Sequence, residues 1–383
     1  MTGRTLTLLC AALLLLAASL PGRAEVAASF RYPLANFSGP VPSHWAKLAV
    51  DPERNEVYAL DERHNDIRVF DEHGMEIFVF GDAYASAADI AVGQDGSIFL
   101  LTSGYQTTAV HLLNYRGEYL AELELKNVPA AYKQFLADQL LYQNGSLYLV
   151  DSNAMRVLEL DEAGYFRRGY DLKAALRPSL ALDDAGPDQL QNIDRQKKKL
   201  QNADLGGLAV DANRNLFFTV PTLFVAYRLS ADGTLTQFGR SGSGTGKFGV
   251  AAGIATDAMG YVYVTDRLRS VVLVFSSELE FQTEFGYRGD QPSNLIVPDD
   301  LVIDTSGNVY VGQAANRGVS VFGITYETSR SSQSSDPASG ITTPSPVSQE
   351  TEQTVEEKRV SARLEFIADE DSNHLEDLEN EDQ

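Results

Sequence analysis

One pattern occurs twice between Lys247 and Gly323, and this repeat constrains the fold more than any other feature of the chain. Each copy has an entry segment, a short apolar strand that ends in Asp, a glycine turn and two further strands. Residues 254–257 (IATD) match residues 301–304 (LVID), and residues 261–264 (YVYV) match residues 308–311 (NVYV), at an offset of 47 residues. A repeat of this length is typical of the blades of a propeller.

The same unit recurs along the chain. In the first unit, apolar strands at residues 47–51, 57–61, 67–71 and 77–81 are separated by tight turns, which predicts a four-stranded antiparallel meander. The spacings between successive first strands are 42, 50, 68, 46 and 47 residues; their anchors are Val50, Val92, Tyr142, Val210, Thr256 and Ile303. The sequence therefore predicts an all-β, six-bladed β-propeller of four-stranded antiparallel blades. Helices are expected in an insertion at about 172–204 and near residues 129–140.

The sixth unit has only three strands before the chain turns polar at Thr325. An unpaired outer edge favours aggregation, so a fourth strand must come from elsewhere. The isolated segment Val26 to Leu34 has the composition of a strand and no partner nearby in sequence. We expect it to complete the sixth blade and close the ring; the alternative is an unstructured leader.

Residues 1–24 have the pattern of a secretory signal peptide. Arg4 forms a basic start, residues 6–20 are apolar, and Gly22 and Ala24 are the small residues before a cleavage site. A retained anchor helix is the alternative, although the apolar run is short for a membrane span. We therefore expect a secreted or periplasmic protein that is cleaved after Ala24. Cys10 is the only cysteine, so the mature chain would have no disulfide and no cysteine metal site.

The charge of the chain is strongly negative and uneven. The formal net charge is -22, and residues 325–383 hold fifteen acidic and four basic residues. Acidic surfaces repel phosphate backbones, so we expect no nucleic-acid partner, and no membrane span after signal cleavage. The domain prediction is a signal peptide at 1–24, a propeller at 25–324, and a disordered Ser/Thr/Pro-rich and acidic tail at 325–383.

Several motifs resemble the repeats of the NHL family of propellers: residues 246–248 (GKF), 253–257 (GIATD), 307–311 (GNVYV) and 316–322 (NRGVSVF). The glycine-rich segment 238–244 (FGRSGSG) is similar to the linkers between NHL blades. The resemblance is specific over Leu208 to Phe322 and weak in the second and third units, which lack the Asp at the strand end. It implies a six-bladed ring.

Propellers that resemble this family include zinc-dependent amidating lyases, which use His, and lactonases, which hold a divalent ion with Glu, Asn and Asp. The five histidines lie before the first strand, in turns, on a third strand and in the tail, so they are not expected to converge: His44, His64, His73, His111 and His374. Four aspartates recur at strand ends, where a structural turn cap is the preferred interpretation: Asp51, Asp211, Asp257 and Asp304. We predict no cofactor and no metal; a metal-dependent lyase or lactonase is the alternative.

The loops between second and third strands carry arginines that should emerge on one face. They could fix each loop through Asp–Arg pairs within a blade, or form a polar rim that recognises a partner. The candidates for this binding face are Arg63, Asn153, Arg156, Asp266, Arg267, Arg269, Asn316 and Arg317, with Trp45 and Tyr105 as aromatic anchors. The sequence therefore favours a monomeric, exported, non-catalytic scaffold that binds a protein or peptide through one face.

Overall fold

Six antiparallel sheets of four strands each are present in the computed structural model, which describes residues 25–61, 63–104, 107–177 and 198–327. The predicted signal peptide, residues 328–383 of the predicted tail, residues 178–197 of the insertion and Tyr105 lie outside the described residues. Residues 325–327, predicted to belong to the tail, are instead the end of the last strand of the propeller. Each sheet is a meander, because tight turns join neighbouring strands. This architecture confirms the predicted six-bladed propeller.

The blades follow one another along the chain. The first has β4 (Lys47–Asp51), β5 (Glu56–Asp61), β6 (Asp66–Phe70) and β7 (Glu76–Phe80), and the second has β8 (Ala87–Val92), β9 (Ile98–Ser103), β10 (Thr108–Leu113) and β11 (Tyr119–Glu122). The third has β12 (Gln139–Gln143), β13 (Ser146–Asp151), β14 (Arg156–Leu160) and β15 (Phe166–Asp171), and the fourth has β16 (Leu208–Val210), β17 (Leu216–Val220), β18 (Val225–Leu229) and β19 (Leu235–Phe238). The fifth has β20 (Ala251–Thr256), β21 (Val262–Asp266), β22 (Val271–Phe275) and β23 (Phe281–Gly286).

The sixth blade takes its outer strand from the start of the described chain. Its strands are β24 (Leu301–Ile303), β25 (Asn308–Gly312), β26 (Val319–Glu327) and β1 (Glu25–Pro33). β1 pairs antiparallel with β26, from Val26 opposite Tyr326 to Pro33 opposite Ser320. The segment predicted to close the ring therefore does so. A small hairpin, β2 (Ala35–Asn36) and β3 (Gly39–Pro40), leads from β1 to the first blade.

The core consists of apolar clusters between neighbouring blades. Successive side chains of a strand point to opposite faces of its sheet, so each blade supplies one face to each neighbour. In β5, Val57 and Ala59 pack with Tyr310 of the sixth blade, whereas Tyr58 and Leu60 pack with Ile90 of the second. Burying each large apolar side chain contributes about 1.5–3 kcal/mol. The blades are therefore stabilised by their neighbours rather than individually.

In the described residues, helical structure lies in connections, both between blades and within one blade. Residues 130–132 form a 3₁₀ turn where a helix was predicted, and residues 221–223 form another between β17 and β18. In the insertion, Asp171 caps a short helix, α1 (Leu172–Leu176), by accepting a hydrogen bond from the Ala174 backbone, and residues 198–201 are helical. Within the described part of the chain, no helix is long and apolar enough to cross a bilayer.

Candidate functional site

A central channel runs through the ring and is lined by the first strands of the blades, β4, β8, β12, β16, β20 and β24. Its lumen encloses about 790 Å³. A second cavity of about 530 Å³ forms its mouth, on the face where the inner strands begin. Ser103 at the end of a second strand, and Ser152 and Arg267 just after second strands, line this mouth. We call this side the entry face; it carries the loops that the sequence predicted to lie together.

Lys47, Gln139 and Gly206 line both the mouth and the lumen, so they lie at the boundary between the two, which we call the constriction. Gln139 donates a hydrogen bond from Nε2 to Ser152 Oγ at 2.6 Å, which fixes its side chain at the wall. Asp138 and Asp204 are exposed and also line the mouth. The constriction therefore combines one ammonium group with nearby carboxylates.

Two aspartates join neighbouring inner strands. Asp89 Oδ2 accepts a hydrogen bond from the backbone of Leu140 at 2.7 Å, which links the second blade to the third. Asp300 Oδ2 accepts one from Leu48 at 2.8 Å, across the junction between the sixth and first blades. Burial raises the pKa of Asp89 to about 7 and that of Asp300 to about 6, and the positive charge of Lys47 opposes both shifts.

These channel carboxylates do not form a metal centre. Among the described residues, the His, Asp and Glu ligand atoms that lie within 4.8 Å of one another in a group of three belong to Asp61, His64 and Asp66, in a loop of the first blade. The oxygens of Asp89 and Asp300 accept backbone hydrogen bonds instead. Asp89 and Asp300 therefore do not belong to a group of three such ligands among the described residues.

The rim of the mouth brings together residues from three blades. Trp45 precedes the first blade, has a left-handed backbone with φ of 55°, and donates its indole N–H to the carbonyl of Val297 at 3.1 Å. The Arg267 guanidinium lies 5.3 Å from the centre of the Trp45 ring, and its Nε donates to Asp299 Oδ1 at 2.7 Å. Left-handed geometry is unfavourable for a bulky residue, so the surrounding contacts hold Trp45 there.

Three other predicted arginines contact the outer strand of their own blade or neighbouring loops. Arg269 forms a two-point ion pair with buried Glu284, and Arg317 donates to the carbonyl of Gln291 at 3.0 Å. Arg156 donates to the carbonyl of Ala131 and lies 3.9 Å from the Asp171 carboxylate.

Arg63 is exposed, and its backbone N–H is bound by Asp61. Asn153 accepts a hydrogen bond from Lys173 through its carbonyl, and Asn316 has a left-handed backbone in its turn. Asp266 binds the backbone N–H groups of Gly249, Val250, Leu268 and Arg269. Its carboxylate therefore fixes the loop through the backbone, not through an arginine side chain.

The aspartates that recur at strand ends are turn caps, as the sequence favoured. Asp304 Oδ1 accepts hydrogen bonds from the backbones of Ser306 and Asn308, and its Oδ2 accepts one from the Tyr310 hydroxyl at 3.0 Å. Asp51, Asp211 and Asp257 bind backbone N–H groups of their own turns in the same way.

The histidines within the described residues stand away from the channel. His64 pairs with Asp61, His73 is exposed in a turn, and His111 bonds to Thr102. His44 Nδ1 accepts the N–H of Ala315. His374 lies outside the described residues.

Sequence reasoning missed the channel residues Lys47, Asp89 and Asp300. Their common signal is a charged residue within three residues of the start of an apolar inner strand. That position looks like a strand boundary in sequence, and only the closed ring turns it into a shared constriction.

No family model matches the chain, and no curated protein matches it in sequence. Solved structures do match. A structural genomics protein of unknown function from Bacteroides thetaiotaomicron aligns with a TM-score of 0.54 at 12% identity, over 79% of this chain and 77% of that one. A gluconolactonase from Xanthomonas campestris aligns with a TM-score of 0.50 at 12% identity, over 80% and 99%. At this identity the likeness establishes the propeller fold alone.

Proposed function

We propose that the protein is an exported NHL-type propeller that binds a protein or peptide through its entry face and performs no catalysis. The observation that carries this proposal is the cluster of Trp45, Arg267 and Asp299 at the channel mouth. Tryptophan and arginine dominate the residues that supply most of the energy at protein interfaces. Here they are held in place by an ion pair and by the indole hydrogen bond.

Exposure around this cluster supports a binding role. Trp45 is 37% exposed, and Leu268, next to Arg267 in the same loop, is 69% exposed. When a partner covers an apolar side chain that is this exposed, its burial stabilises the complex. The partner would cover the mouth and leave the lumen below the constriction untouched.

The composition of the channel supports a binding role over a metal-dependent lyase or lactonase. The carboxylates of Asp89 and Asp300 accept backbone hydrogen bonds. The ammonium group of Lys47 supplies the positive charge near them, which in a metal site would come from a divalent ion. Metal analysis of the dialysed protein discriminates the two functions. We expect no stoichiometric metal; a bound metal lost on changing Asp89 or Asp300 would favour the enzyme.

The binding experiment compares variants on opposite faces of the ring. Extracytoplasmic extract is passed over immobilised wild-type protein, and a recovered partner is titrated against each variant. We expect Trp45→Ala to weaken binding by about 2 kcal/mol, or roughly thirtyfold, and Leu268→Ser to weaken it less. Met259→Ser is the control, because Met259 is 60% exposed in the turn between β20 and β21, on the opposite face. Equal loss in all three variants, or unchanged affinity in all three, would rule out the entry face.

A further inference from the structure

Exposed apolar side chains on the outer strands are concentrated in the first two blades. Ile77, Phe78 and Val79 of β7 are 53%, 43% and 41% exposed, and Tyr119 and Leu120 of β11 are 56% and 55% exposed. We call these five residues the blade 1–2 edge. The exposed positions on the outer strands of the third, fourth and sixth blades carry polar, charged or small residues: Arg167, Arg168, Asp171, Gln237, Ala27, Ser29 and Arg31.

The two strands belong to one continuous surface. The ring of Phe78 stacks on that of Phe80, with centroids 5.8 Å apart, and Phe80 covers Gly117 of the second blade. Tyr84 donates its hydroxyl to the Gly117 carbonyl at 3.2 Å and lies against His111. His111 in turn contacts Tyr119, with ring centroids 6.1 Å apart. A ligand on β7 would therefore also reach the aromatic residues of the second blade.

The backbone at this edge is available for pairing. β7 and β11 are terminal strands of their sheets, so alternate N–H and C=O groups on the outer side have no strand partner among the described residues. Charged residues usually protect such edges against added strands. Three consecutive exposed apolar residues on β7 provide no such protection. An extended peptide could pair with this edge and place its alternate side chains on the apolar surface.

The surrounding charge selects the kind of peptide. Exposed carboxylates stand at both ends of the two strands: Glu72, Asp82, Glu118 and Glu122. Four bases lie nearby. His73 is in the same turn as Glu72, and Arg54 and Arg116 both stack on Tyr115. Arg68, opposite Val79, is paired with two carboxylates, Asp66 and Glu76. A second copy of the chain would bring the same carboxylates together, at a net charge of -22 per chain. Basic residues flanking apolar ones would be attracted instead.

We propose that the blade 1–2 edge binds an extended segment of a partner protein in which apolar residues alternate with lysine or arginine, and that this segment adds to β7 as a fifth strand. The site lies on the outer rim of the ring and is independent of the entry face.

The test uses labelled synthetic peptides and fluorescence anisotropy. A short peptide that alternates valine and lysine should bind, whereas a valine–glutamate peptide and a serine–lysine peptide of equal length should bind at least about tenfold more weakly. Phe78→Thr should reduce binding of the valine–lysine peptide by about tenfold, because threonine keeps strand propensity but removes the apolar contact. Glu72→Gln combined with Glu118→Gln should also weaken it.

Gln237→Thr is the matched control, because Gln237 is an exposed residue on the outer strand of the fourth blade. Val79→Thr serves as a second edge variant if Phe78→Thr melts early. Equal binding of the valine–lysine and serine–lysine peptides, or unchanged binding in both edge variants, would overturn the proposal. Dimerisation of the protein alone in sedimentation experiments, abolished by Phe78→Thr, would overturn it in favour of a second copy.

Discussion

Asp304 and Asp89 are both buried aspartates, yet their surroundings give them different chemistry. Asp304 ends a strand and accepts hydrogen bonds from two backbone N–H groups, the Asn308 amide and the Tyr310 hydroxyl. Asp89 lines the channel near Lys47, and its carboxylate accepts two backbone hydrogen bonds. The sequence predicted the role of the first, because a turn cap depends only on neighbouring residues. It could not predict the second, because Leu140 and Lys47 are brought there by other blades.

Asp89 should make the stability of the protein depend on pH. Its pKa in the folded protein, about 7, lies above the ordinary value of 3.8. Between these values the native state binds more protons than the unfolded state, so the free energy of unfolding falls as the pH rises toward 7. Asp89→Asn keeps an acceptor for Leu140 but does not titrate. As the pH rises from about 5 to about 8, we expect the free energy of unfolding to fall less in the variant than in wild type. Each unit by which the pKa of Asp89 is shifted corresponds to about 1.4 kcal/mol.

Urea unfolding at several pH values measures this difference. Asp300 and Lys47 face the same site, and Asp300 contributes a fall of the same sign because burial raises its pKa as well. Asp204→Asn, at an exposed position of the mouth, is the control. A parallel pH dependence in wild type and Asp89→Asn would contradict the assignment.

At the scale of elements, the outer strands distinguish the blades. Inner and middle strands are apolar in every blade, because they contact neighbours on both faces. Outer strands have fewer contacts with neighbouring blades, so their composition varies. β7 is largely apolar, whereas β15 contains two arginines. β1 is a special case, since it comes from the opposite end of the propeller sequence and covers β26. Phe30 packs edge-on against Phe322, with ring centroids 5.7 Å apart.

Removal of β1 should expose the edge of β26 and destabilise the sixth blade. We expect deletion of residues 24–33 to lower both the melting temperature and the soluble yield, because an unpaired apolar edge promotes aggregation. Ser29→Lys is the control, since Ser29 is exposed on the same strand. Thermal melts and light scattering measure the two effects. A deletion variant that melts like wild type would show that the strand is dispensable.

At the scale of the whole molecule, the ring has a junction between the sixth and first blades that is closed by non-covalent contacts. Apolar residues of both blades pack there, including Tyr310 and Leu48. The bond from the Leu48 N–H to Asp300 crosses the same junction. Deletion of one blade-to-blade contact should therefore affect the stability of the entire ring.

Asp300→Ala should destabilise the protein by about 1–3 kcal/mol, because the buried N–H of Leu48 would lose its acceptor. Asp300→Asn retains an acceptor and should stay close to wild type. Equilibrium denaturation measures both variants. If alanine and asparagine were equally harmful, the charge of Asp300 and not its hydrogen bond would be responsible.

The sequence by itself determined the repeat, the number of blades, most strands, the turn caps and the closing role of the N-terminal strand. These features depend on the period of apolar residues and on turn chemistry, which are local properties. Tertiary structure alone decided which residues meet at the channel: Lys47 with Asp89 and Asp300, and Trp45 with Arg267 and Asp299. Their contacts join blades that are distant in sequence, so they exist only once the ring has closed.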